Sequence, residues 1–216
     1  MYFLVGNHEL STKESRFNSA NAFRLNNHIN IINTPLIRTA GEDVNLCFLP
    51  YCFENEIKLS NISIFDFIPT STYKSILFSH NDILGYNYGQ FVSKTGIDVN
   101  EIEKYFHLCF NGHLHNEGKV SDKIINVGNL TGLNFSEDAT KYDHSAYILN
   151  TILMTYEKFE NPFAFNFYKL DFTTNIPNVD FKQNSIVSAK VNESDYTIIK
   201  NMFESNSNII EYRIII

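Results

Sequence analysis

Three short stretches of this chain carry residue types suited to metal chemistry. They are Gly6-Asn7-His8-Glu9, Ser79-His80-Asn81-Asp82 and Gly112-His113-Leu114-His115. A neutral imidazole nitrogen is a good ligand for divalent transition metals, and an asparagine carbonyl oxygen is a harder, neutral one. His113 and His115 lie two apart after a glycine that permits a tight turn. In a loop, that spacing can aim both rings into one cavity, each toward a different ion. Asn7, His80, His113 and His115 therefore form a candidate ligand set. His8 stands beside it as a candidate proton donor or stabiliser of developing charge.

Each stretch follows a short apolar run that reads as a strand: residues 2–5 before Gly6, "SILFSH" at 75–80 and "FHLCFNGHLH" from 106. Ligands gather at the carboxyl ends of strands in open α/β sheets, so the three stretches are expected on one rim. Other strands are expected at 30–33, 35–39, 44–50, 123–132 and 144–150. "VNLCFLP" has the continuous apolar character of a strand covered on both faces. Gly41-Glu42-Asp43 before it reads as a turn. "GIDVNEIEKYF" at 96–106 predicts a helix capped by Asp98 or Asn100. Residues 11–28, with Phe17, Ala20, Phe23 and Leu25, suit a loop entering a helix. Residues 54–74 carry no clear pattern. The alternation of Phe163, Phe165 and Phe167 fits a half-buried strand. After a turn at Pro177, "SIVSAKV", "ESDYTIIKNMFES" and "NIIEYRIII" read as strand, helix, strand, the start of a small βαβ unit.

The three blocks together resemble the calcineurin-like metallophosphoesterase superfamily. Its blocks are Asp-x-His, Gly-Asp-x-x-Asp, Gly-Asn-His-Asp/Glu, a lone His after a strand, and Gly-His-x-His. This chain carries the last three in order, over residues 2 to about 172. The resemblance implies an α/β (α+β) fold: a two-sheet β-sandwich flanked by helices over 1–172, N-terminally incomplete, followed by the start of a small capping domain over 173–216. It implies that Asn7, His80 and His113 hold one metal and that His115 belongs to the other. His8 would protonate the leaving group or stabilise the transition state. Two divalent ions would activate water for in-line attack on phosphorus. Manganese is expected, and the ligand types also admit magnesium, iron or zinc.

The Asp-x-His and Gly-Asp-x-x-Asp blocks are missing, and with them the bridging carboxylate. Asp98, Asp122, Asp138 and Asp143 are available acids outside any motif. Met1 is therefore expected to follow a truncation, a split gene or an internal start, leaving a raw sheet edge. The chain alone is expected to hold at most one metal well, with little or no hydrolysis.

"ILFSHNDILGYNYGQF", "LCFLPYCFEN" and "FNGHLHN…IINVGNLTGLNFSED" resemble segments of the SbcD-type exonucleases and the phage recombination endonuclease subunits. This implies the nuclease subunit of a DNA repair or recombination complex. Its partners would be DNA, an SMC-like ATPase subunit of SbcC type and a second copy of the chain as homodimer. One alternative is a small-molecule phosphodiesterase or phosphoprotein phosphatase of the same superfamily, which the net charge of −7 favours slightly. Another is a non-catalytic scaffold with a degenerate metal site, which the missing acids favour.

That net charge argues against gripping nucleic acid by charge alone, because phosphate neutralisation needs Lys and Arg. Bound cations would change the local field. Apolar residues at 44% and charged residues at 19% suit a globular chain with a substantial core. Cys47, Cys52 and Cys109 show no metal spacing and read as buried reduced thiols. No run is long enough for a membrane helix and no leader is recognisable, so the expected location is cytoplasmic, in the host cytoplasm if a phage encodes the chain. His28, His107 and His144 read as structural or exposed. Asp82 suits either orienting a ligand or capping a turn. Tyr86, Tyr88 and Phe91 could stack on DNA or pack the core. Lys119, Lys123 and Lys141 read as solvated surface.

Overall fold

The computed structural model describes residues 1–12, 18–41, 43–53, 56–62, 74–88, 91–175 and 178–216. It is a mixed α/β (α+β) structure with several sheets and few helices. The chain divides into two compact units, Met1–Gly128 with Leu149–Tyr156, and Asn129–Ile148 with Glu157–Ile216.

In the first unit, β1 (Tyr2–Leu4) pairs in parallel with β2 (Asn30–Ile32) as a two-stranded sheet. The main sheet contains β3 (Leu36–Ala40), β4 (Val44–Leu49), β6 (Lys74–Ser79), β10 (Leu108–Asn111), β11 (Gly118–Lys119) and β12 (Ile124–Asn126). Its order is β11-β12-β10-β6-β4-β3. The strands β4, β6, β10 and β12 run parallel, and antiparallel β3 and β11 lie at the edges. The central strands are apolar runs because both faces are covered.

One face packs Cys47, Leu49, Leu77, Cys109 and Ile124 against Ile97, Ile102 and Phe106. The other carries a line of rings: Tyr2 on Phe48 at 5.0 Å, Phe48 on Phe78 at 5.3 Å, Phe78 on Phe110 at 5.9 Å and Phe110 on Tyr156 at 5.6 Å. Cys47 and Cys109 are buried free thiols, as expected, and Cys52 is partly buried. Burial pushes the Cys47 thiol up to about 12.

The pairing register places Leu49 beside Ser79, Ser79 beside Asn111 and Asn111 beside Asn126. These four residues form one row at the carboxyl rim of the parallel strands. The segments after them leave from the same edge.

The expected helix over 96–106 is shorter. Residues Gly96–Ile97 form β9, which pairs with β5 (Glu56–Ile57), and α1 runs Val99–Tyr105. Asp98 is the cap; its carboxylate accepts from the Asn100 amide at 2.7 Å. Gly96 has φ +108, and a Cβ there would stand 2.1 Å from the Asp82 carbonyl oxygen. Two further two-residue strands, β7 (Asn87–Tyr88) and β8 (Phe91–Val92), pair with each other. Of the 11–28 segment, Ser19–Phe23 forms a 3-10 turn rather than an α-helix. Phe17, Glu42, Pro177 and most of 54–74 lie outside the described residues. The strand expected over 123–132 ends at Asn126, because Gly128 turns the chain at φ +69.

β13 (Ser145–Asn150) and β14 (Thr155–Glu160) pair with each other. The second unit holds a three-stranded parallel sheet of β15 (Asn166–Asp171), β16 (Ser185–Lys190) and β17 (Ile209–Ile215), with β16 central. The helix α2 (Tyr196–Ser205) connects β16 to β17 and packs Ile199 and Phe203 onto Tyr168, Leu170, Val187 and Ala189. The expected strand-helix-strand tail is present, and β15, assigned from sequence to the larger domain, pairs with it. The aromatic alternation marks the wrong face: β15 buries Asn166, Tyr168 and Leu170, while Phe163 and Phe165 precede it and are exposed. Among the described residues, no helix is long and apolar enough to cross a membrane.

Candidate metal centre

The rim of the main sheet brings the histidine blocks together. Val5 is tied into the unit by backbone bonds: its N–H donates to Ile32 and its carbonyl accepts from Tyr51. Gly6 then enters a 3-10 turn over Asn7–Glu9. The Glu9 carboxylate closes that turn by accepting the Gly6 N–H at 2.8 Å. Asn7 Oδ1 lies 3.2 Å from His80 Nε2. The rings of His80 and His113 stand 5.3 Å apart, edge to face. Asn7, His80 and His113 therefore meet from three separate segments. His8 and His115 neighbour each other at 6.1 Å.

His113 is held on two sides. Its Nε2 lies 3.4 Å from Asp82 Oδ1, and Tyr51 stacks on its ring at 5.5 Å. Its Nδ1 is buried with no hydrogen-bond partner among the described residues. A ring that faces a carboxylate through one nitrogen and leaves the other unpaired has the form of a histidine ready to ligate. The largest influence on Asp82 is the hydrogen bond with His113, which lowers its carboxyl below the usual range; Thr95 and Ser93 add to it. Of the two roles open to Asp82, orienting a ligand is the one its contact with His113 fits.

His80 is pushed down to about 4, first by burial and then by the charges of His113, His8 and His115. It is thus neutral at pH 7, with a lone pair on one ring nitrogen. Burial also raises the Tyr51 hydroxyl, with Asp82 and Cys52 adding to the effect.

The glycine that the site demands is not Gly112, where a Cβ would meet His80 at an ordinary 3.6 Å. It is Gly6, where a Cβ would stand 2.6 Å from His80 Nε2. The close approach of backbone to ring decides this position.

The candidate acids are engaged elsewhere. Asp98 caps α1. Asp122 pairs with Lys119 at 2.8 Å on the surface. Asp138 accepts from Thr140, and Asp143 binds Lys158 and Lys182. Among the described residues, no group of three His, Cys, Asp or Glu side chains comes together in a form that could hold an ion. The trio at the rim contains only two such residues, because its third member is Asn7. Asn7, His80 and His113 offer the donor types that one divalent ion takes.

His107 and His144 have hydrogen-bond partners of their own. His107 Nδ1 accepts from the Ser75 N–H at 3.1 Å. His144 is buried with its Nδ1 3.1 Å from the Asn129 carbonyl. His28 is exposed. Lys123 reaches the Glu103 carbonyl and Lys141 pairs with Asp138, as surface lysines do. Tyr86 packs against the core of the first unit, and the side chains of Tyr88 and Phe91 lie outside the described residues.

Sequence reasoning missed Tyr51, whose one signal is its place after the apolar run of β4. It also missed Asn81, Asn111 and Asn126, each of which closes or follows a strand. All three are at most 1% exposed. No known family model matches the chain, and no curated protein matches it.

Proposed function

We propose that this chain carries the histidine half of a metal-dependent phosphodiester hydrolase of the calcineurin-like kind. The observation that carries this reading is the meeting of Asn7, His80 and His113 from three strand ends, with His113 Nδ1 buried and unpaired. The ordered blocks in the sequence support it, and they support the metallophosphoesterase sandwich as the parent fold. A divalent ion, manganese first, would act as a Lewis acid on a phosphoryl oxygen and raise the acidity of water.

The protein's own groups have separable roles. Asn7 contributes a neutral oxygen and His80 a neutral imidazole. His113 contributes Nδ1 while Asp82 and Tyr51 hold its ring. His8, beside His115, would donate a proton to a leaving oxygen. The nuclease flanks of the sequence favour DNA as substrate and an SMC-like ATPase as partner. The test compares linear DNA, bis-p-nitrophenyl phosphate and p-nitrophenyl phosphate with manganese. Preference for the two diesters supports the reading; preference for the monoester favours a phosphatase.

A second reading is favoured by the acids that are engaged elsewhere. With Asp98, Asp122, Asp138 and Asp143 so engaged, the chain would serve as a binding scaffold that holds one metal and hydrolyses little.

A further inference from the structure

The three buried asparagines at the rim form a connected chain of amides. Asn81 Oδ1 accepts from the Cys52 N–H at 2.8 Å, and its Nδ2 donates to the Pro50 carbonyl at 3.0 Å and to Ser79 Oγ at 3.1 Å. The Asn81 backbone N–H donates to Asn111 Oδ1 at 3.1 Å. Asn111 Nδ2 donates to Asn126 Oδ1 at 3.3 Å. Asn126 Nδ2 donates to the carbonyls of Leu114 at 2.8 Å and Asn116 at 2.7 Å.

The two ends of this chain reach the two segments that define the histidine cluster. At one end, Pro50 and Cys52 bracket Tyr51, which stacks on His113. At the other, Leu114 and Asn116 bracket His115, two residues beyond His113. Gly128 sits beside that turn: a Cβ there would stand 2.9 Å from the His115 carbonyl oxygen. A buried amide is costly unless its hydrogen bonds are made, and a satisfied network fixes one arrangement.

We propose that Asn81, Asn111 and Asn126 are positioning residues that hold the His113–His115 turn and the Tyr51 loop at ligating distance. They touch no ion themselves. This inference rests on the metal reading of the histidines.

Asn126→Asp tests it, because the replacement keeps the shape and loses both donors to the turn. The matched control is Asn166→Asp in the second unit. Asn166 is also buried, and its Nδ2 also donates to two carbonyls, Ala164 at 3.0 Å and Gln183 at 2.8 Å. The probe is Co2+ alone, read by visible absorption and by titration, with thermal melting of the metal-free protein alongside. Asn126→Asp is expected to weaken Co2+ binding about tenfold to a hundredfold and to change the band shape. Asn166→Asp is expected to lower the melting temperature without moving either metal readout. If Asn126→Asp does not fold, Asn126→Ser, which keeps one donor, is expected to weaken binding and shift the bands. Wild-type affinity and spectrum in whichever of these variants folds would overturn the proposal and leave the metal reading standing. Equal losses in Asn126→Asp and Asn166→Asp would also overturn it. Wild-type protein that binds no Co2+ would overturn the metal reading, and this inference with it.

Discussion

His113 Nε2 lies 3.4 Å from Asp82 Oδ1, while His113 Nδ1 is buried and unpaired among the described residues. The carboxylate favours a proton on Nε2 and leaves the lone pair on Nδ1. Removing the carboxylate frees the ring to rotate. Asp82→Ala is expected to weaken Mn2+ binding by about tenfold to a hundredfold. The same variant should change the urea midpoint little, because the Asp82 side chain is partly exposed. A thermal-shift titration with Mn2+ checks both parts.

Gly6 gives a sharper steric test. A Cβ at this position would stand 2.6 to 2.8 Å from three atoms of the His80 ring. Gly6→Ala is therefore expected to displace His80 from Asn7, at a cost of about 1–3 kcal/mol in stability. Metal-induced stabilisation should disappear. Gly112→Ala, whose Cβ meets only ordinary contacts, should retain it. Chemical denaturation with and without Mn2+ separates the two variants.

The acid limb of stability should report His80. Its folded value is about 4, against an ordinary 6.5. The unfolded chain therefore binds the extra proton first as pH falls. Stability from this group is fully present above 6.5 and is lost progressively down to about 4. The loss amounts to roughly 3 kcal/mol. His80→Asn should flatten the denaturation midpoint between pH 6.5 and 4 relative to wild type. Parallel curves for the two proteins would contradict this assignment.

The second unit carries a fully buried acid, Glu137. Its carboxylate accepts from Asn129 Nδ2 at 3.2 Å, the Leu133 N–H at 3.1 Å and Asn134 Nδ2 at 3.4 Å, closing the 129–137 loop. Glu137→Ala leaves those donors without their acceptor and is expected to cost about 1–3 kcal/mol. Urea denaturation checks this loss, and Mn2+ affinity, read by titration, is expected to be unchanged.

The histidine blocks were legible because each follows an apolar run long enough to be a buried strand. Strand order and direction then follow from ordinary α/β packing. What was not legible depends on register. Nothing local shows that Leu49, Ser79, Asn111 and Asn126 share one row, so the asparagines read as ordinary turn residues. Gly6 and Gly112 look alike in sequence, and only the approach of the His80 ring distinguishes them. Asp82 reads from sequence as either a ligand-orienting acid or a turn cap, and its contact with His113 Nε2 is a matter of tertiary structure. The Phe163–Phe167 alternation misled because a parallel three-stranded sheet buries the face carrying Tyr168 and Leu170 under α2.

The most direct measurement is an isothermal titration of the chain with Mn2+, repeated for His80→Ala and His113→Ala. The expected result is one ion per wild-type chain, with binding weakened at least about tenfold in both variants. Absence of binding to wild-type protein, or equal binding in all three, would contradict a metal centre built from Asn7, His80 and His113.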